Sequence, residues 1–568
     1  MIILDYAKLI IRLIKYKLTQ SVYDSDYLPQ TDGTGNFVSA KTAVAMIEDQ
    51  STVFAAGIAA HARCSIFYWA LRDHYLERKK PAGLTWITTA AHGGRGAAPG
   101  TIEDIAIPGL MSEYICSHVE TAKAQLALAD QGELTIQTIP YGEIVFLLER
   151  QAAGENTYLS TTGKGTFLDP DMGGSSLVAG TTKKTLIKSK DGQLEYTMPK
   201  VDVALLVAPY SDKEGNIYFK NAACITDHYE SAMAAYKNNG KVIVAVADII
   251  EKCEESISIP AKYVHAIVVN PMNEQTGGIR QRQYLKVFTE GAKENIGRQM
   301  AHLKVINRLS GAAYKRSGVD NALSRLAAAV FTGVAEKNDL VNFGVGLPEE
   351  VSRVLHESGI HGNYKFSTEA GGYGGVPAPG IFFGGALNPE KLKSSAWMFN
   401  HYKSNLSVAV FGFLQVDSAG NVNVSKRGTL MRDYVGPGGL MNIANSAKSI
   451  IFIGHWMQRA RYSTKDGKIR IKKTGKSKFV DRVDEVTFSG HQALLAGKTV
   501  FFATTVGLFK LTDKGLELKA VMPGIDIQND IVATTDAALV VADESMVVQL
   551  PVNFVTGKGF HADSSGLN

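Results

Sequence analysis

Apolar residues along this chain gather into short runs of strand length, separated by stretches in which they recur every three or four positions. The runs include LTWITTA (84–90), VDVALLVAPY (201–210), KVIVAVADII (241–250), VHAIVV (264–269), SVAVFGFLQV (407–416), SIIFIGHW (449–456) and TVFFATTV (499–506). Unbroken apolar runs of this length are what strands buried on both faces require. Helical spacing lies between several of them, as in LSRLAAAVFTGVAEK (323–337). The alternation predicts α/β layers around largely parallel sheets.

The pattern occurs twice. VDVALLVAPYSDKEGNIYF resembles SVAVFGFLQVDSAGNVNV: each has an apolar strand, a turn ending in Gly-Asn and a second alternating strand. KVIVAV follows the first and KSIIFI the second. Upstream, STVFAAGIAAHA (51–62) matches LVNFGVGLPEEV (340–351), and ITTAAHGGRGAAPG (87–100) matches FSTEAGGYGGVPAPG (366–380). Four correspondences in one order predict two homologous α/β domains, over 32–272 and 318–568. The segment 273–317 lacks a buried-strand run and reads as a linker, mostly helical and lying over the surface. Residues 1–31 form an N-terminal extension. Within it Ile2, Tyr6, Leu9, Ile10, Leu13 and Lys17 fall at helical spacing, which predicts an added helix packed on the body, with a basic polar face open to a membrane surface or a partner.

Composition narrows the function. A chain of 568 residues with 45% apolar and 20% charged residues is an ordinary multi-domain globular protein. Its formal net charge of +5 is too small for a nucleic-acid surface. The Lys/Arg-dense run Tyr462 to Val486 alternates around DGK and TGK turns and reads as the wet face of a hairpin. The apolar N-terminus is broken by Asp5, Lys8, Arg12, Lys15 and Lys17, so no membrane span is expected. The cysteines Cys64, Cys116, Cys224 and Cys253 show no CxxC pair. They suit buried structural thiols in a reducing, cytoplasmic setting rather than a zinc site or a disulfide framework.

Candidate chemistry centres on FSTEAGGYGGVPAPG, which holds one carboxylate, Glu369, and five glycines. Aligned on its glycines, the first-half loop sets Gly93, Gly94 and Gly96 against Gly371, Gly372 and Gly374, and Ala91 against Glu369. A duplicated scaffold with one charged tip points to one active centre in the cleft between domains. Glycines let a ligand approach the backbone and leave N–H groups free to face an anion, and Gly344 to Pro348 can add helix N-terminal amides. A carboxylate there can act as base, metal ligand or nucleophile. No His, Asp or Glu cluster surrounds it in sequence, so a metal is not expected. AGGYGG approaches a dinucleotide fingerprint, but Pro377 and Pro379 oppose the helix that would have to follow.

The segment FSTEAGGYGGVPAPGIFFGGALNPEKL resembles the signature around the catalytic glutamate of family I CoA-transferases, and is most similar to the single-chain acetate and propionate CoA-transferases. GKGTFLDPDMGG (163–174), NNGKVIVAVADII (238–250), VNFGVGLPEEV (341–351) and VGPGGLMNIANSAKSIIF (435–452) match in order. The resemblance implies a NagB/RpiA-like fold, no permanently bound cofactor, coenzyme A as substrate, and a homo-oligomer, dimer or tetramer. It implies ping-pong exchange of CoA between a short-chain acyl-CoA and acetate, propionate or a 3-oxo acid through a glutamyl-CoA thioester on Glu369. Gly439 matches the glycine whose amide joins the oxyanion hole, with Gly438 beside it. Gly344, Gly346, Gly371 and Gly372 would line the path of CoA. Two departures stand out. Tyr141 occupies the place of a glutamine that usually donates to the oxyanion, and a phenol can still donate there. His61 and His92 stand in first-half loops where the family usually has other residues; either could meet the acyl carboxylate or order water. An acyl-CoA hydrolase using the same glutamate, an acyl-carrier transferase and a non-catalytic acyl-CoA-binding protein are the alternatives.

Overall fold

The computed structural model describes residues 2–93, 98–180, 184–311, 316–541 and 544–564. Two α/β units follow one another along the chain. Gly94 and Gly96 lie outside the described residues.

The main path of the first unit's large sheet runs through β1 (Thr52–Ala55), β2 (Leu84–Thr88), β3 (Met111–Cys116), β4 (Thr135–Gln137), β5 (Leu177–Ala179), β6 (Val203–Asp212), β7 (Lys241–Ile250) and β8 (Ala266–Val269). Their order across the sheet is β8-β7-β6-β1-β2-β3-β4-β5. All neighbours are parallel except β4 and β5. The second unit has β9 (Leu340–Phe343), β10 (Lys365–Ser367), β11 (Gly372–Tyr373), β12 (Leu406–Gly412), β13 (Ser449–Gly454), β14 (Thr499–Thr504), β15 (Gly507–Thr512) and β16 (Gly515–Val521). They run β11-β10-β9-β12-β13-β14-β15-β16. The centre β10-β9-β12-β13-β14 is parallel, and β11, β15 and β16 pair antiparallel. Both sheets are therefore mixed, with a parallel centre and antiparallel margins.

The repeat seen in the apolar pattern is a repeat of topology. The parallel path β2-β1-β6-β7-β8 has the same order as β10-β9-β12-β13-β14. The central strands β6 and β12 are buried on both faces, as their Val-, Ala- and Leu-rich runs demand.

The helices that bear on function are α1 (Ile2–Thr19), α2 (Tyr141–Ala152), α3 (Ile296–Leu309), α4 (Gly318–Val334), α5 (Leu347–Glu357), α6 (Ser395–Asn405) and α7 (Leu440–Ser446). Among the described residues no helix is long and apolar enough to cross a membrane. The basic run forms an antiparallel hairpin, Arg461–Lys465 with Lys468–Lys473, turning at Asp466 and Gly467 and showing its lysines to solvent.

Three expectations need correction. The segment 273–317 is only partly helical: it opens with a hairpin, Glu274–Thr276 with Ile279–Arg280, and reaches α3 through 3-10 turns. Nor does it merely cross the surface. Val287, Phe288, Leu303 and Ile306 form a separate small core with Leu13 of α1 and with Val376, Phe382 and Leu387. The apolar residues of the segment are too sparse for a strand, but they are enough to cement the N-terminal helix to the second unit. Lastly, Cys64, Cys116 and Cys224 are buried, but Cys253 is exposed.

Candidate active site

Glu369 stands two residues beyond β10, at the carboxyl end of the parallel strands, where open α/β sheets place their ligands. The turn after it is possible only with glycine. Gly371 has φ +111°, and a side chain there would run into the Lys393 carbonyl. The chain doubles back at once into β11, which pairs with β10 through Ser367 and Tyr373. No helix follows, so the fingerprint-like glycines serve a tight hairpin. Thr368 Oγ1 fastens the loop by donating to the Gly384 carbonyl (2.8 Å).

The Glu369 side chain lines a chamber of about 760 Å³ whose walls come from both units, a size suited to a small-molecule site. From the first unit come the residues just past β1, β2 and β3: Ile58, Ala90, Ala91, Ser117 and His118. From the second come Asn342, Gly344, Phe411, Gly438 and Gly439. Ala91, the residue that glycine alignment sets against Glu369, therefore lines the same space.

Within this chamber the carboxylate is 8% exposed. Burial pushes its pKa up, against the opposing effect of backbone hydrogen bonding and the Asn342 amide. Asn342 Nδ2 donates to Glu369 Oε2 (3.4 Å), and contacts the Ser367 carbonyl and Tyr402 Oη (both 3.3 Å). Poor hydration makes the charged form of this carboxylate costly, and the Asn342 amide offsets part of that cost. Asn342 was not singled out from sequence. Its signal was there: a polar side chain inside the buried strand LVNF.

Gly439 is close to the acid, since a methyl group built on it would sit 3.7 Å from Glu369 Cγ. It is the N-cap of α7, so its N–H is not used by the helix ladder. A backbone bond ties its neighbour to the other unit: Tyr141 N–H donates to the Gly438 carbonyl (3.0 Å). The Gly142 N–H donates to Asn442 Oδ1 (2.9 Å), and Asn442 Nδ2 donates to Glu143 Oε1 (2.9 Å). A Cβ on Gly142 would collide with the Asn442 amide at 2.5 Å. Glu143 also accepts from Ser160 Oγ (3.1 Å), and burial raises its pKa to about 7. The starts of α2 and α7 are thus clamped together beside the glutamate. Neither Glu143 nor Asn442 was found from sequence, because the pair is 299 positions apart.

Tyr141 lines the chamber at 1% exposure. Its hydroxyl shares a hydrogen bond with Ser395 Oγ (2.8 Å), and its ring meets Phe399 edge-on at 5.2 Å. Burial drives its pKa well up, so its hydroxyl keeps its proton.

The remaining expected residues are distributed differently. Gly344 lines the chamber, whereas Gly346, Gly371 and Gly372 do not, among the described residues. Gly346 caps α5 and its N–H donates to Glu349 Oε1 (3.2 Å). The two histidines are buried beside the chamber rather than in its lining. His61 Nε2 bonds the carbonyls of Phe382 (3.0 Å) and Phe383 (2.9 Å). His92 Nδ1 bonds Tyr68 Oη (2.6 Å). Burial lowers the pKa of each to about 4, so both rings are neutral. His61 pins a first-unit turn onto the segment following the Glu369 loop. Among the described residues no cluster of three or more His, Cys, Asp or Glu side chains is placed to hold a metal.

Comparison with known proteins adds what geometry leaves open. Residues 37–270 match the model of the family described as coenzyme A transferase. The caffeate CoA-transferase of Acetobacterium woodii is 31% identical over 516 residues, covering 88% of this chain and 94% of the relative. The chain belongs to the family I CoA-transferases. This CoA-transferase is also 28% identical over 553 residues to the acetate CoA-transferase YdiF of Escherichia coli K12, covering 94% and 99% of the two chains. The crystal structure of the acyl-CoA transferase YdiF apoenzyme from E. coli O157:H7 superposes with a TM-score of 0.81 at 26% identity, over 94% of this chain and 99% of that one. The structure of the same enzyme as a thioester complex with CoA gives a TM-score of 0.80 over 93% and 98%. The protein is thus an enzyme of CoA transfer, with coenzyme A and acyl-CoA as substrates.

Proposed function

We propose that the enzyme exchanges CoA between a short-chain acyl-CoA and a free carboxylate through a thioester on Glu369. A Glu369 oxygen attacks the thioester carbonyl, giving a glutamyl–acyl anhydride and CoA thiolate. The thiolate attacks the glutamyl carbonyl, forming glutamyl-CoA and releasing the first acid. A second carboxylate attacks glutamyl-CoA to regenerate an anhydride and thiolate, and the thiolate then takes the new acyl group and frees Glu369. Each addition creates an oxyanion, for which the Gly439 N–H and the Tyr141 hydroxyl are the donors of this reading. The observation that carries it is the single buried carboxylate in a two-sided chamber, 3.7 Å from a methyl group built on Gly439. Two relatives support the same route: the E. coli O157:H7 YdiF enzyme crystallised as a thioester complex with CoA, and the K12 YdiF enzyme is an acetate CoA-transferase.

On this reading the unit boundaries are 32–272 and 318–568 with 273–317 between them, the fold is of the NagB/RpiA-like type, and the family resemblance supports a homo-oligomer. The test is peptide mass spectrometry after mixing enzyme with acyl-CoA and brief borohydride treatment. A mass change confined to the Glu369 peptide, with CoA moving to an added acid, is the expected result. Thiol release without transfer would make the enzyme a hydrolase, and an unmodified peptide beside intact acyl-CoA would leave only a binding protein.

A further inference from the structure

The N-terminal helix is more than an appendage. Ile10, Leu13, Ile14, Lys17 and Leu18 recur at the three- and four-residue spacing of one helix face, and all five line the same chamber as Glu369. Other positions hold the helix in place. Tyr16 Oη donates to Glu274 Oε1 (2.8 Å), Arg280 donates to the Thr19 carbonyl (3.0 Å) and Arg12 to the Gln283 carbonyl (3.2 Å). Leu13 packs with Val376, Ala378, Phe382 and Leu387, the stretch that follows the Glu369 loop. The helix and the nucleophile's loop therefore share one small core, and the stripe is held at a set angle to the chamber.

The character of this wall is apolar. Ile58, Ile381 and Phe383 also line the chamber. The buried cation there, Arg63, is already committed to Glu274 (3.2 Å), and Lys17 stands exposed. Yet Ile10 and Ile14 are 42% and 55% exposed, although they line the same half-open chamber as Glu369. Apolar surface left bare at such a place marks a ligand's footprint.

We propose that α1 is the specificity wall of the acyl site: Ile10, Leu13 and Ile14 receive the apolar body of the acyl group and select monocarboxylic acids larger than acetate. This rests on the transferase reading above and names its substrate class. A methylene more or less in an apolar pocket changes discrimination roughly 10- to 200-fold, so few side chains suffice to set the preference.

The test uses the full-length enzyme, acetyl-CoA as donor and a panel of acids: straight-chain acids from acetate to octanoate, benzoate, and glutarate as a dicarboxylate. The unsubstituted enzyme is expected to prefer apolar acids larger than acetate. Ile14→Trp fills the wall, and the hexanoate-to-acetate ratio of kcat/KM should fall about tenfold or more. Ile14→Ala should move that ratio the other way for octanoate and benzoate. Ratios unchanged in both variants overturn the proposal, as does a rise in KM for acetyl-CoA that is the same with every acid, which would put the helix against the CoA arm. Preference for glutarate also overturns it. A flat ratio with the Glu369 adduct still formed sinks only the wall. Absence of adduct and of exchange with every acid in the unsubstituted enzyme sinks the transferase reading, and this proposal with it.

Discussion

The two halves share a parallel strand order, β2-β1-β6-β7-β8 and β10-β9-β12-β13-β14, and their strand ends meet across one chamber. At the tip of the second, a carboxylate lines the chamber; at the matching tip of the first, Ala91 lines it instead. The difference shows how a duplicated scaffold divides its work. One half supplies the buried carboxylate and its Asn342 donor. The other supplies shape, through Ile58, Ala90 and Ala91, and the hydroxyl-bearing wall of Tyr141. Glu120 also lines the chamber from the first unit, but Arg427 pairs with it, whereas Glu369 has only the Asn342 amide as a side-chain partner among the described residues.

The comparison breaks most sharply at the acid itself. Glu369→Ala should lower exchange by at least about 10⁴-fold, as loss of a covalent catalytic group does, while thermal unfolding stays close to that of the parent. Adding Ala91→Glu to that variant should not restore exchange, because Asn342 and Gly439 serve the other wall. Recovery of turnover, read by thioester exchange, would show the halves to be interchangeable. Next comes the shared oxyanion pocket. Gly439→Pro removes one N–H and should cost about 10²–10³ in kcat; Tyr141→Phe removes a neutral hydroxyl and should cost less, about tenfold. Equal losses would mean that the two donors contribute alike.

The smallest effect lies in the clamp. Glu143 has a folded pKa raised to about 7 by burial, above its unfolded value near 4.5. The folded protein therefore binds more protons than the unfolded chain between these values, and stability falls as pH rises through that window. Glu143→Gln keeps the Asn442 contact without the buried charge. Its Tm should exceed the parent's by roughly a few degrees at pH 8 and match it at pH 5. Parallel Tm curves across that range would remove Glu143 as a source of the pH dependence.

The strands were the most legible part of the molecule. KVIVAVADII coincides with β7, and SIIFIGHW and TVFFATTV contain β13 and β14, because a run buried on both faces advertises itself locally. SVAVFGFLQV was read as one strand but divides into Leu406–Gly412 and Gln415–Asp417, and no local signal marks the break. Glu369 stood out because its surroundings are bare of charge. Asn342, Asn442, Glu143 and the chamber-facing stripe of α1 did not, since each acquires its role from a partner far along the chain. The glycines divided in the same way. Gly371 is needed for the hairpin that aims the acid, whereas Gly439 is next to it in space, and a motif alone does not separate the two uses.

The bond from Tyr141 N–H to the Gly438 carbonyl crosses the seam between the units, and both residues wall the reaction chamber. Any change in the spacing of the units at that seam therefore moves chamber wall on both sides at once. On the transferase reading proposed above, the spacing of the two units and the shape of the pocket around Glu369 are set by one and the same contact.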